Sequence, residues 1–243
     1  MRVRGGQNLY GASVGILMLD TRFPRIPGDV GNAGTFAFPV LYHRVAGASP
    51  DRVVREGARG LLPAFVEGAR VLEREGVRAI TTNCGFLAKF QRELASAVSV
   101  PVFTLSLLLV PLVHRMPPAG RAVGVLTVDA SSLSPEDFAG AGITPDIPAV
   151  VAGLETEKEF TRVLLDDLLE LDVDAAREEH VRVARRLCDA HPEIAAIVLE
   201  CTNMPPYRAD VQRATGLPVF DLVHLINLVH EAVVHTLPPR PLG

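Results

Sequence analysis

Two cysteines at equivalent positions of an internal duplication are the residues best placed to do chemistry. Cys84 and Cys201 each follow a short apolar run that is typical of a buried strand. Each also precedes a segment that can begin a helix. The offset between them, 117 residues (201 − 84), aligns the segment PVFTL at 101–105 with PVFDL at 218–222. Two thiols at matched positions of a repeat predict chemistry on both faces of a small molecule.

Composition restricts the class of protein. The chain has 243 residues, of which 48% are hydrophobic and 21% charged, so it can bury a core as an ordinary globular protein. A net charge of −4, few aromatic residues and no basic run argue against a nucleic-acid partner. Three cysteines in so long a chain predict a reduced, cytoplasmic protein. The longest apolar stretch, 105–113, is too short to cross a membrane.

Alternating apolar and amphipathic segments predict an α/β protein with mainly parallel sheets. The predicted strands are Val14–Leu19, Ala79–Thr82, Val102–Leu105, Ala122–Thr127, Ala195–Leu199 and Val219–Leu222. The predicted helices are Asp51–Glu75, Ala88–Ala97, Ser106–Arg115, Glu155–Leu171, Ala175–Ala190, Pro206–Ala214 and Val223–His235. Segments 20–46 and 127–151 are expected to be long loops beside the ligand crevice, and Pro63 is expected to kink or split its helix.

A second pair of matching segments completes the duplication. The segments VGIL at 14–17 and VGVL at 123–126 match at an offset of 109 residues (123 − 14). An insertion or deletion of 8 residues (117 − 109) reconciles this offset with that of the cysteines. The duplication therefore predicts two similar α/β lobes related by an approximate two-fold axis, with the cysteines facing each other across a cleft.

The cysteine motifs and the duplication resemble the aspartate/glutamate racemase superfamily, whose members include hydantoin racemase, arylmalonate decarboxylase and maleate isomerase. The resemblance covers residues 13–235 and is carried by NCG at 83–85, ECTN at 200–203 and the repeated PVF segments. It implies two flavodoxin-like lobes with parallel sheets and an active site between them. Residues 12–100 plus 218–236 would form the first lobe and residues 101–217 the second. A homodimer is expected from the family.

The resemblance also implies a mechanism without a cofactor or a metal. One thiolate removes the proton beside a carboxylate, and the opposite thiol returns a proton to the other face. A thiol normally titrates near 8.5, so we expect the helix that follows each cysteine to lower its pKa. Cys188 has no repeat partner and is interpreted as a structural residue. We therefore expect Cys84→Ser and Cys201→Ser, but not Cys188→Ser, to abolish racemisation.

Further site residues are assigned by their positions at strand ends or on the first loop. Asp20 is predicted to orient or deprotonate Cys84, although a loop-capping role explains it as well. The residues predicted to bind the carboxylates of a substrate are Thr21, Thr82, Asn83, Gly85, Thr127, Thr202, Asn203, Arg22 and Arg25. For the two arginines a solvated surface position is an equal alternative.

The favoured function is a racemase or epimerase of an aspartate-like amino acid with Cys84 and Cys201 as its acid–base pair. Asn203 stands where glutamate racemases usually have histidine, which argues against glutamate. The alternatives are a hydantoin racemase, a decarboxylase or cis–trans isomerase that needs one cysteine, and a binding protein without turnover. No role follows from the sequence for the segment PGDVGN at 27–32, and Glu200 either assists Cys201 or faces away.

Overall fold

A computed structural model describes residues 5–234, and it contains two four-stranded parallel sheets. The strands are Val14–Met18 (β1), Val40–Arg44 (β2), Ala79–Thr82 (β3), Val102–Phe103 (β4), Ala122–Thr127 (β5), Ala149–Gly153 (β6), Ile194–Leu199 (β7) and Val219–Phe220 (β8). The strand order is β2-β1-β3-β4 in one sheet and β6-β5-β7-β8 in the other. The predicted α/β fold with two similar lobes is confirmed.

Helices cover the faces of the two sheets. They are Leu62–Arg74 (α1), Gln91–Ala97 (α2), Val110–Val113 (α3), Pro135–Gly140 (α4), Phe160–Leu165 (α5), Val173–Ala190 (α6), Arg208–Thr215 (α7) and Leu222–Val233 (α8). Short turns of other helix types precede several of them, at Asp51–Arg55, Gly85–Phe90, Ser106–Leu109 and Pro205–Tyr207. Of the predicted last helix, His235 lies outside the described residues.

Both predicted long loops contain a strand that sequence periodicity did not reveal. β2 lies within 20–46, and β6 begins within 127–151 and ends two residues beyond it. Each is the edge strand of its sheet, and its residues are only partly buried. An edge strand lacks the continuous apolar run of a central parallel strand, so it carries a weaker pattern.

Several predicted helices are shorter than expected, and those predicted over 51–75 and 155–171 differ most. The helix predicted over 51–75 is split: a π-helical turn ends at Arg55, and α1 begins just before Pro63. Left-handed backbone at Gly57, Ala58 and Gly60 separates the two parts. The helix predicted over 155–171 is only the six residues of α5.

The lobe boundaries differ from the prediction. β4 pairs with β3 in the first sheet, and β8 pairs with β7 in the second, so residues 102–103 and 219–220 stay in the lobes that precede them. The chain crosses after each of these strands. α3 packs on the second sheet and α8 packs on the first, so the lobes exchange helices rather than strands. Of the predicted segment 218–236, residues 235–236 lie outside the described residues.

The 8-residue difference between the two repeats has a definite place in the fold. β1 and β2 match β5 and β6 at the shorter offset, whereas Ala79 and Ala196, the partners of Val14 and Val123, match at the longer one. The insertion therefore lies between β6 and β7, in the connection that holds α5 and α6. In residues 5–234, no helix is both long enough and apolar enough to span a membrane.

Candidate active site

A cavity opens at the carboxyl ends of the strands that precede the two cysteines, β3 and β7. Such a position is where open α/β sheets bind ligands. The space between atoms here is about 370 Å³ with open solvent included, and both Cys84 and Cys201 line it with 7% of their surface exposed. The other lining residues are Leu19, Phe23, Arg25, Pro50, Val54, Asn83, Gly85, Phe86, Val128, Leu164, Leu165 and Asn203. The predicted juxtaposition of the two thiols is therefore present in the structure.

Cys84 is held where β3 passes into the turn Gly85–Phe90. Its extended backbone places it just before the first residue of the turn. Below it, the Thr82 hydroxyl lies 3.0 Å from the Cys84 carbonyl and 2.7 Å from the Thr104 carbonyl. The backbone N–H of Phe86 faces the sulfur and favours its thiolate form. Thr82 thus braces the turn and does not line the cavity, contrary to its predicted role in substrate binding.

Cys201 lies in a different hydrogen-bond environment. Its thiol donates to the Asn203 side-chain oxygen at 3.4 Å. The Asn203 amide in turn donates to a carboxylate oxygen of Asp29 at 2.6 Å. A neutral S–H group is a weak donor, and a thiolate could not make the first of these bonds. This arrangement therefore describes Cys201 as a thiol.

Asn83 lines the cavity and carries a buried hydrogen-bond donor. Its side-chain oxygen accepts the N–H of Leu19 at 2.7 Å, which fixes the amide orientation. The amide nitrogen is buried and has no partner among the described residues. A buried donor without a partner is costly, so this nitrogen is suited to a ligand oxygen such as a carboxylate.

Thr202 joins the two halves of the site. Its hydroxyl donates to the Asn83 carbonyl at 2.5 Å, and its own carbonyl accepts the N–H of Val30 at 3.2 Å. Thr202 is fully buried and does not line the cavity, so it fixes the distance between the halves instead of contacting a substrate.

The first loop carries a site residue that the sequence did not reveal, Asp29. Its side chain is 3% exposed, and Arg25 donates to it at 3.0 Å. Arg25 also donates to the Thr21 hydroxyl at 2.9 Å and covers the ring of Phe23 at 4.5 Å. The predicted binding residue Thr21 therefore positions Arg25. An acid between two glycines was the available signal for Asp29.

The flanking glycines explain the motif around Asp29. Gly28 has a left-handed φ of 102° and packs on the backbone of Pro206, where a side chain would be crowded. A side chain at Gly31 would meet Arg25. The loop from the first lobe can therefore lie flat on the second half-site.

Two predicted site residues lie on the surface. Asp20 accepts a hydrogen bond from Arg44 at 3.3 Å, with both side chains substantially exposed. Arg22 pairs with Asp167 at 3.3 Å and is 73% exposed. Neither residue lines the cavity, so the structure does not bring Asp20 and Arg22 together with the two cysteines, and their roles stay predictions.

Glu200 faces the site from below the cysteines. It is fully buried, and one oxygen accepts the Thr127 hydroxyl at 2.8 Å. The other oxygen has no partner and lies against Gly85, where any side chain would overlap it. Burial raises the pKa of Glu200 to about 8 despite the bond from Thr127. Thr127 and Gly85 thus accommodate Glu200; Gly85 also lines the cavity.

Burial controls the ionisation of both thiols. It raises the pKa of Cys84 to about 12 and that of Cys201 well above its usual value, and Glu200 raises both further. The expected lowering by the following turn is present but smaller than the desolvation cost. In the closed cavity both cysteines are therefore neutral, and a thiolate requires a further positive charge.

The third cysteine lies away from this site. Cys188 is half-buried in α6, where it packs against the main apolar cluster. Among residues 5–234, no group of three or more His, Cys, Asp or Glu side chains is arranged to hold a metal ion.

Comparison with known proteins identifies similar chains. A family model described as Asp/Glu/Hydantoin racemase matches residues 40–226. A dimethylsulfoniopropionate lyase from Durusdinium sp. clade D is 33% identical over 223 residues, which are 89% of this chain and 73% of that protein. Dimethylsulfoniopropionate lyase 6 of Emiliania huxleyi is 33% identical over 232 residues, 88% of this chain but only 58% of that protein. This chain thus spans less than two thirds of the Emiliania protein.

A solved structure extends the comparison to the fold. The Picrophilus torridus aspartate racemase superposes with a TM-score of 0.55 and 15% identity, covering 91% of this chain and 94% of that chain. At this identity the similarity establishes a common fold alone.

Proposed function

Because the chain belongs to the Asp/Glu/hydantoin racemase family, we propose that it is a lyase acting on a small sulfonium carboxylate of the dimethylsulfoniopropionate type. A cysteine thiolate removes the proton beside the carboxylate, and the neighbouring carbon releases dimethyl sulfide. The similarity to lyases of that substrate, over most of this chain, motivates the substrate class.

The observation that carries the proposal is the lining of the cavity. It combines two thiols, one unpartnered amide donor at Asn83 and an otherwise mainly apolar wall. A single carboxylate matches the amide donor of Asn83. Two methyl groups on sulfur match the aliphatic and aromatic wall, against which a cation with little hydration is well accommodated.

The charge balance of the site favours a substrate that carries a cation. Both thiols are buried, and desolvation makes either one costly to ionise. A sulfonium group in the cavity would offset that cost, because an opposite charge nearby favours a thiolate. Aspartate has two carboxylates, and the cationic side chain that lines the cavity, Arg25, is already paired with Asp29. An aspartate-like substrate therefore fits this lining less well.

The reaction balances without another reagent. The thiolate takes the α-proton and becomes a thiol, and the electron pair of the C–H bond forms a double bond to the β-carbon. The β-carbon–sulfur bond breaks, and its electron pair leaves with sulfur as neutral dimethyl sulfide. The organic product is acrylate. The thiol returns its proton to solvent before the next cycle.

The test is direct incubation with dimethylsulfoniopropionate. Headspace gas chromatography would measure dimethyl sulfide, and proton NMR would measure acrylate in equal amount. We expect both products with the wild-type chain and with Cys188→Ser, and neither with Cys84→Ser. Failure of the wild-type chain to release dimethyl sulfide above the buffer rate would contradict the proposal.

A second candidate is a racemase or epimerase of a small carboxylate. The observation in its favour is that both thiols line one cavity, as a two-base mechanism requires. In D₂O, such an enzyme would exchange the α-proton of aspartate, other amino acids or hydantoins and accumulate the opposite enantiomer. We expect the lyase reaction to be the faster of the two.

A further inference from the structure

A buried ion pair on the first loop, formed by Arg25 and Asp29, contacts the surroundings of the two cysteines differently. Arg25 and Asp29 are 3.0 Å apart, with side chains 12% and 3% exposed. The cationic partner, Arg25, lines the cavity together with both cysteines. The anionic partner, Asp29, holds the amide of Asn203, whose oxygen accepts the thiol of Cys201.

We propose that the Arg25–Asp29 pair makes the two thiols chemically unequal, so that Cys84 is the base and Cys201 stays a thiol. Asp29 is then a positioning residue that acts on Cys201 through Asn203. The inference rests on the proposed function, because it names which thiol of that reaction removes the proton.

The hydrogen-bond directions carry the argument. With its NH₂ group committed to Asp29, the Asn203 side chain presents only its oxygen to Cys201. An oxygen acceptor stabilises S–H and repels a thiolate. The residue that matches Asn203 in the first repeat is Phe86. Each of the two offers its cysteine a backbone N–H, but Phe86 has no side-chain acceptor. The first thiol is therefore the one whose neighbours tolerate a negative charge.

The surrounding charges agree with this direction. Around Cys84, burial raises the pKa most, the backbone N–H of Phe86 and Arg25 lower it, and Glu200 and Asp137 raise it. Around Cys201, burial again dominates, Glu200, Cys84 and Asp29 raise the pKa, and the backbone N–H of Asn203 lowers it. Glu200 acts on both thiols in the same sense. The Arg25–Asp29 pair acts in opposite senses: Arg25 lowers the pKa of Cys84, whereas Asp29 raises the pKa of Cys201.

The asymmetry has a consequence for the reaction. An elimination needs one base that is regenerated after each cycle, and it does not need a second cysteine that exchanges protons. A racemase that works in both directions needs each thiol to serve in turn as base and acid. A fixed ion pair that favours one protonation pattern therefore suits a one-way reaction.

The experiment measures each thiol separately. In a Cys188→Ser background, brief alkylation with iodoacetamide at pH 7 to 9 is followed by mass spectrometry of the Cys84 and Cys201 peptides. The two cysteine residues have the same exposed fraction, 7%, so their burial is matched at the residue level. We expect Cys84 to react at least about tenfold faster, because one pKa unit changes the thiolate fraction tenfold.

Two variants test the cause of the difference. Asp29→Asn removes the charge, and Asn203→Ala removes the acceptor while leaving the loop sequence intact. Each should speed alkylation of Cys201 by about tenfold and shift its pH profile downwards. A merely structural role would change both thiols alike. Equal reaction of the two cysteines in the parent protein, faster reaction of Cys201, or an unchanged ratio in both variants would overturn the inference.

The outcome is separable from that of the proposed function. Release of dimethyl sulfide is measured on the same Cys188→Ser preparation. Faster alkylation of Cys84 without that product would refute the lyase and leave the asymmetry standing. Product formation together with faster alkylation of Cys201 would support the lyase and overturn the proposed difference between the thiols.

Discussion

The two half-sites share a position in the repeat and differ in almost everything that surrounds it. Asn83 and Glu200 are matched residues directly before the cysteines. Asn83 lines the cavity and carries an unpartnered amide nitrogen, whereas Glu200 lies beneath it with a buried carboxyl group. The duplication thus places two thiols at one cavity. Because the residues before them differ, the first half-site has a hydrogen-bond donor at Asn83, and the second has a carboxyl group at Glu200 that retains its proton.

The residues after the cysteines extend the contrast. Gly85 leaves room for the Glu200 carboxyl, while its repeat partner Thr202 donates a hydrogen bond to the opposite half. A symmetrical pair of bases would need similar neighbours. The first half-site is therefore suited to hold a substrate carboxylate and a base, and the second to hold a neutral thiol.

The largest expected effect separates the two cysteines. Cys84→Ser should lower the rate of dimethyl sulfide release by about 10² to 10⁴, the usual contribution of a general base. Cys201→Ser should lower it by about tenfold or less, because a serine hydroxyl can still donate to Asn203. Rates of product release at saturating substrate measure both, with Cys188→Ser as the control. Equal and complete loss of dimethyl sulfide release in both variants would contradict an elimination that uses Cys84 as its one base.

The sequence was sufficient for the central strands and both cysteines, because buried strands and a repeat leave strong patterns. It was insufficient where a residue acts through a long-range contact. Asp29 accepts a hydrogen bond from Asn203, which lies 174 positions away in sequence, and no local pattern in its loop indicates that partner. The sequence also could not place the Asp20 side chain outside the cavity lining, because a position near a strand end does not determine whether a side chain turns towards the cavity or away from it.

The next effect tests the donor in the first half-site. Asn83→Asp keeps the oxygen that accepts from Leu19 but replaces the free amide donor with an oxygen. Repulsion between that oxygen and a substrate carboxylate should raise KM by about 10 to 100-fold, since an unmatched polar contact costs about 1–3 kcal/mol. Steady-state kinetics on dimethylsulfoniopropionate measures this, and the exposed Asn227→Asp is the matched control. An unchanged KM would show that the carboxylate binds elsewhere.

A smaller effect concerns the packing between the half-sites. Gly85→Ala places a methyl group on the Glu200 carboxyl and should lower the free energy of unfolding by about 1–3 kcal/mol, as overpacking does. Urea denaturation measures this, with the exposed Gly34→Ala as the control. In a double-mutant cycle, Glu200→Ala should remove most of the penalty. If Gly85→Ala lowered the free energy of unfolding equally in the Glu200→Ala background, the added methyl group would clash with a residue other than Glu200.

The smallest effect is a slope of stability with pH, and it tests whether Glu200 retains its proton. Its folded pKa of about 8 lies above the usual value of 4.5, so the folded state binds the extra proton between these values. Stability is then fully present below pH 4.5 and is lost as the pH rises through 8. Below pH 6.5 the buried His180, whose pKa desolvation lowers to about 4, contributes a slope of opposite sign.

The interval from pH 6.5 to 8 therefore isolates Glu200. Here the free energy of unfolding should fall by up to about 1.4 kcal/mol per pH unit. Glu200→Gln can still accept from Thr127 and should flatten this slope, whereas the exposed Glu75→Gln should preserve it. Urea denaturation at several pH values measures the slope. If the wild-type protein showed no such slope, Glu200 would be ionised in the folded state. Its permanent negative charge would make a thiolate in either half-site harder to form.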